Sequence, residues 1–99
     1  MAKTPEAKVK HKVVEFLKTR GVYYFFPATY GFGRSGVPDI VCCVRGKFLG
    51  IECKAGDSFP TALQQRELAA IRAANGVALV INESNITMLC KVVEEMIEG

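Results

Sequence analysis

Two apolar runs around a glycine turn constrain this chain more than any other feature. Asp39-Ile-Val-Cys-Cys-Val-Arg45 and Phe48 to Lys54 flank Gly46-Lys47. Short runs rich in strand-forming residues on either side of a glycine read as a β-hairpin. The charges fall at particular places in it. With a two-residue turn at Gly46-Lys47, Arg45 pairs with Phe48, Asp39 lies opposite Lys54 and Val41 opposite Glu52. Moving the turn to Arg45-Gly46 places Asp39 opposite Glu52. Side chains alternate along a strand, so either register projects Asp39, Glu52 and Lys54 from one face. Only a three-residue loop without a compensating bulge would separate them.

Two carboxylates and an ammonium on a face that otherwise carries Val41 are costly unless something balances them. Repelling anions at strand-pair distance suit a hard divalent cation with oxygen ligands, Mg2+ above all, with Mn2+ as a substitute. A cation held by Asp39 and Glu52 lowers the pKa of a bound water and polarises a phosphoryl oxygen. Lys54 then orients that water or neutralises charge developing on the phosphate. The plainer alternative is a solvent-facing hairpin in which an acid and Lys54 form a stabilising cross-strand pair.

The rest of the chain frames the hairpin. Thr4-Pro5-Glu6 has the form of a helix start, and Val9, Val13, Phe16 and Leu17 recur at helical spacing until Gly21. Val22 to Phe26 reads as a strand closed by Pro27. Thr61 to Asn75 reads as a second helix, with Thr61 and Gln64 at capping-box spacing and Gly76 as terminator. Val77 to Ile81 is a buried strand, and a closing amphipathic helix follows from Ser84. The order is α-β-β-β-α-β-α, an α/β fold with a mixed sheet flanked by helices. The second helix is long enough to carry a crossover, so the last strand runs parallel to an earlier one. With 99 residues, the expectation is a single domain over 1–99.

Two polar residues outside the hairpin turn inward. Glu6 shares the azimuth of Val13 and Leu17, extending the core-facing stripe by a turn. Gln64 precedes Leu68 and Ile71 by four and seven residues, on the buried side of its helix. Each also has an ordinary explanation: Glu6 as a partner of the helix dipole, Gln64 as the return arm of a capping box.

Other signals are weaker or misleading. Gly31-Phe-Gly-Arg-Ser-Gly36 matches G-x-G-x-x-G, but Val37-Pro38-Asp39 follows. Pro38 pushes Val37 out of helical geometry, so the helix that would receive a pyrophosphate is missing and no nucleotide cofactor is expected. The loop glycines still permit close backbone approach to a ligand, with Arg34 and Ser35 beside it. A net charge of +3 permits an anionic partner without demanding one. The basic N-terminal helix, Lys10 included, could follow a phosphate backbone or be a solvated face. Cys42, Cys43, Cys53 and Cys90 offer no C-x-x-C pair, which argues against zinc and for buried or inert thiols in a reducing cytoplasm. No apolar run reaches membrane-spanning length, and no signal-peptide pattern is seen at the start.

Taken together, Glu6, Gly36-Val-Pro-Asp39, Gly50-Ile-Glu-Cys-Lys54 and Gln64 resemble the PD-(D/E)xK nuclease superfamily. Within it the pattern is most similar to the virus-type replication–repair nuclease (VRR-NUC) domains of small standalone phage or prophage proteins. The resemblance runs from Glu6 to about Ile81. It implies a restriction-endonuclease-like core and metal-dependent hydrolysis of DNA phosphodiesters, leaving a 5′-phosphate and a 3′-hydroxyl. It also implies Asp39, Glu52 and the Cys53 backbone carbonyl as metal ligands and Lys54 as the catalytic lysine. Glu6 would act through water or a second metal, and Gln64 would support Lys54 or the attacking water. Members of this type act as homodimers on branched DNA such as four-way (Holliday) junctions, while a larger relative handles flaps. Cys53 departs from the β-former more usual there, but its small apolar side chain suits the inward pocket. Tyr30, bordering the site loop, is a candidate DNA contact. Two other readings stand beside the structure-specific endonuclease: a module that grips DNA junctions or ends without cutting, and a flap-type nuclease.

Overall fold

A computed structural model describes residues 4–28 and 33–99. Helix α1 (Pro5–Thr19) leads to β1 (Tyr23–Phe25), β2 (Ile40–Val44) and β3 (Lys47–Cys53). Helix α2 (Ala62–Ala73), β4 (Val77–Ile81) and α3 (Ile86–Glu98) complete the order α-β-β-β-α-β-α. The local signals act where the sequence places them. Thr4 Oγ1 accepts the Ala7 N–H at 3.1 Å to cap α1. Thr61 and Gln64 form the reciprocal capping box of α2, with bonds of 2.8 and 3.2 Å.

The sheet order is β1-β2-β3-β4, antiparallel over the first three strands. β4 runs parallel to β3, pairing Cys53 with Ile81, because α2 carries the chain back across the sheet. The hairpin register pairs Val44 with Lys47 and Ile40 with Ile51. Its turn is therefore Arg45-Gly46 rather than Gly46-Lys47. Both residues take positive φ, 53° and 84°, the pattern of a tight turn whose twist matches the strands it joins.

Alternation along the strands sorts the two faces. Ile40, Cys42, Val44, Leu49, Ile51, Cys53 and Ile81 pack with Val9, Val13 and Leu17 of α1 and Leu89, Val93 and Met96 of α3. The opposite face carries Gly50, Glu52 and Ala78 under α2. A side chain at Gly50 would come within 2.9 Å of Ile71 and 3.0 Å of Pro38, so the glycine lets α2 sit close on β3. α2 covers only part of this face. Tyr23, Phe25 and Phe48 lie exposed on its other half, through the pairings Tyr23–Cys43, Phe25–Val41 and Cys43–Phe48.

All four cysteines are free, with Cys42 and Cys53 buried and their thiols pushed up to about 12 by burial. Cys43 is exposed and Cys90 half-buried, so burial accounts for two of the four thiols. Among the described residues, no helix is long and apolar enough to cross a membrane.

Candidate active site

The site begins with the approach to β2. Gly36 has φ +86°, and a Cβ there would lie 2.7 Å from the carbonyl carbon and oxygen of Leu63. At Gly36 the close backbone approach is to the first turn of α2, while Gly31 lies outside the described residues. Pro38 is buried beyond it, and Asp39 enters the strand from a fixed direction. Asp39 Oδ2 accepts the Cys53 N–H at 2.8 Å. Continuing the observed ladder by one residue sets Asp39 opposite Glu52.

Glu52 is 1% exposed, and neither of its carboxylate oxygens has a hydrogen-bond partner. Lys54 Nζ lies 3.6 Å from Glu52 Oε2, within ion-pair range but too far for a hydrogen bond. Lys54 is itself largely buried, and its backbone N–H donates to Ile81 O at 3.0 Å, which continues the sheet.

These facts set the electrostatics. Burial, then the charge of Asp39, raise the Glu52 carboxyl to about 7, and Lys54 only partly offsets them. A buried carboxylate with all its lone pairs unpartnered, beside a second acid, is the donor set a hard cation satisfies. Among the described residues, no three His, Cys, Asp or Glu side chains close into a metal-holding cluster. Asp39 and Glu52 are thus two acids side by side, with no third such side chain grouped with them among the described residues. The Cys53 N–H, donated to Asp39, ties the two acids' strands together at this point.

The other predicted residues divide. Glu6 is exposed, not core-facing. It lies a turn ahead of Val9, the first buried residue of α1, and lines a depression with Ala55, Gly56, Ser58 and Glu83. Its charge is still felt at the centre, where it adds to the raised pKa of Glu52. Gln64 Oε1 accepts the Thr61 N–H at 2.8 Å. Its carbonyl serves the helix cap, which leaves only its amide donors for the site.

Arg34 pairs with Glu67 at 3.2 Å and lines an apolar groove with Phe48, Ile71 and Gly76, so its charge is engaged along α2. Ser35 is exposed in the turn before Gly36. Lys10 Nζ stands 4.4 Å from the centre of the Phe26 ring. Its charge acts to lower the Cys53 thiol pKa, against the larger effects of burial and of Asp39 and Glu52. Tyr30 lies outside the described residues.

Two residues escaped sequence reasoning. Glu83 Oε1 accepts the Gly56 N–H at 2.8 Å and ties down the segment after Lys54. Phe59, in the same segment, is 83% exposed. Nothing in the spacing of Glu83 marks it, whereas Phe59 stands out as an aromatic among the turn residues Gly56, Asp57, Ser58 and Pro60.

No protein-family profile matches the chain. A curated protein, "Putative nuclease p44" of Acyrthosiphon pisum secondary endosymbiont phage 1, is 36% identical over 81 residues, covering 81% of this chain and 84% of that one. A solved VRR_NUC domain superposes with a TM-score of 0.69 at 25% identity, covering 98% of both chains. The likeness of fold therefore extends over nearly the whole of both chains. The chain belongs to the VRR-NUC family of nucleases.

Proposed function

We propose that this nuclease is a Mg2+-dependent DNA endonuclease, one domain over 1–99, that cuts branched DNA such as four-way junctions as a homodimer. The observation that carries the reading is the buried Glu52 carboxylate, without a hydrogen-bond partner, beside Asp39 and Lys54. A module that only grips DNA has no use for so costly a charge.

In this reading Asp39, Glu52 and the Cys53 carbonyl hold the cation, and Glu6 contributes through water from the rim. The bound ion, Mg2+ or Mn2+, would supply Lewis-acid polarisation of the phosphate and charge neutralisation. The chain's own residues do the rest. Lys54 offers its ammonium beside Glu52 to the charge that develops on phosphorus. The free amide of Gln64 orients the attacking water. Lys10, steadied on Phe26, and Ser35 take backbone phosphates, and Tyr30 borders the same loop. Water adds to phosphorus as the bond to the 3′ oxygen breaks, leaving a 5′-phosphate and a 3′-hydroxyl.

Two strands of a junction require two such sites, which a twofold dimer supplies. The exposed aromatic half-face of Tyr23, Phe25 and Phe48 is the surface that favours one. The free cysteines accord with a bacterial cytoplasm as the place of action.

The test is incubation of the purified protein with labelled four-way junction, flap and duplex DNA, under Mg2+, Mn2+ or EDTA. Cutting should require the metal, favour the junction and vanish in Asp39→Asn and Lys54→Ala, with DNA binding retained in Asp39→Asn. Binding without cutting under any metal would leave a DNA-binding module instead, and a preference for flaps would replace the junction assignment.

A further inference from the structure

Phe59 is the most exposed large apolar side chain among the described residues, at 83%, and it sits between Lys54 and the cap of α2. An exposed aromatic on a loose loop would mean little, but this segment is pinned on both sides. Ser58 N–H donates to Ala55 O at 3.1 Å, and Gly56 N–H to Glu83 at 2.8 Å. On the far side, Gln65 Nε2 donates to Pro60 O at 2.9 Å, just before the Thr61 capping box. Pro60 also restricts Phe59 to extended backbone. The ring is therefore held in water by a tied framework, at a cost in apolar hydration that no contact within the described fold repays. Leu63, 49% exposed in the first turn of α2, adds a second apolar side chain close by in the chain.

Position narrows what the ring meets. Five residues of chain place Phe59 within about 17 Å of Lys54. Bases along a strand advance about 3.4 Å each, so Phe59 lies within a few nucleotides of any phosphate seated at Asp39 and Glu52. In continuous duplex the faces of those bases are covered by their neighbours. At a branch point or in a single strand they are open, and an aromatic ring stacks on any of them.

Resting on the nuclease reading above, we infer that Phe59 is a base-stacking contact for unpaired nucleotides next to the cleaved phosphate. It selects DNA with an open base face over unbroken duplex.

The experiment compares Phe59→Ala and Phe59→Trp in the otherwise unaltered chain, on a four-way junction and a duplex of matched length. Cutting is followed in Mg2+ and binding in EDTA. Phe59→Ala should weaken junction binding roughly 5- to 100-fold and duplex binding far less, raising KM more than it lowers kcat. Phe59→Trp should keep the preference, with its fluorescence quenched by the junction and not by the duplex. An equal loss on both substrates, no loss on either, or a change in oligomeric mass in Phe59→Ala would each overturn the inference while the nuclease reading stands. Failure of the unsubstituted chain to bind or cut any DNA would overturn both.

Discussion

Replacing Glu52 by Gln should make the metal-free protein more stable while destroying its activity, and the size of the gain follows from the geometry. The carboxyl ordinarily ionises near 4.5 and is raised to about 7 in the fold, by burial first and by Asp39 second. That difference corresponds to roughly 3 kcal/mol. Its sign is fixed. The folded state holds the proton more tightly, so the wild type is at full stability below pH 4.5, where both states are protonated. It loses stability as pH rises from there through about 7, and the loss is constant above.

Gln does not titrate, so the slope disappears. The amide still buries polar atoms, and Lys54 loses its 3.6 Å partner. These costs reduce the gain at pH 8 to about 1–2 kcal/mol, or ~5–15 °C in Tm for a chain of this size. Urea denaturation in EDTA at pH 5 and pH 8 reads it directly, with the variant expected to be about 1 kcal/mol less stable than the wild type at the lower pH, where Glu52 is protonated in the fold. Mg2+ at a hundredfold its Kd should stabilise the wild type by about 2.7 kcal/mol at pH 8 and the variant far less. A variant less stable than wild type at pH 8, or a gain equal at both pH values, would refute the account of Glu52 as a strained anion.

Three further expectations concern other parts of the molecule. Gly36→Ala meets the Leu63 carbonyl and a positive φ together, and should cost about 2–4 kcal/mol in urea denaturation. Gly46→Ala, also at positive φ but in open space, should cost about 1 kcal/mol. Lys10→Ala should weaken DNA binding uniformly across sequences and lower the salt slope by about 1, whereas Arg34→Ala, removing a side chain already paired with Glu67, should change both less. The double variant Tyr23→Ser with Phe25→Ser should shift a dimer to monomer in sedimentation, and an unchanged mass would move the dimer contact elsewhere.

The strand alternation that placed Asp39, Glu52 and Lys54 on one face is insensitive to which of two glycine-containing turns closes the hairpin. The site was therefore legible even though the turn fell one residue earlier than expected. Arg45 accepts a positive φ that a non-glycine residue usually avoids, so its identity does not mark it as the first residue of the turn. Helical azimuth gave the side of α1 on which Glu6 lies. It does not say whether the sheet extends far enough to cover it, and the first buried residue is Val9. The spacing of Gln64 allowed two roles, and the hydrogen bonds show its carbonyl at the cap. Contacts between distant segments, Arg34 with Glu67 and Gly56 with Glu83, leave no trace in local pattern. They depend on how loops fold over elements already formed.

The three charged groups at the centre all belong to a single hairpin, residues 39–54, locked by the Asp39–Cys53 hydrogen bond. The residues proposed here to meet a nucleic acid, Lys10, Ser35 and Phe59, belong to other segments: α1, the turn before Gly36 and the stretch after Lys54. Chemistry and target choice are therefore encoded in separate stretches of chain. Insertions or exchanges in the flanking loops can redirect which DNA is presented without disturbing how a phosphate is attacked, so the fold can acquire new substrates by editing its rim.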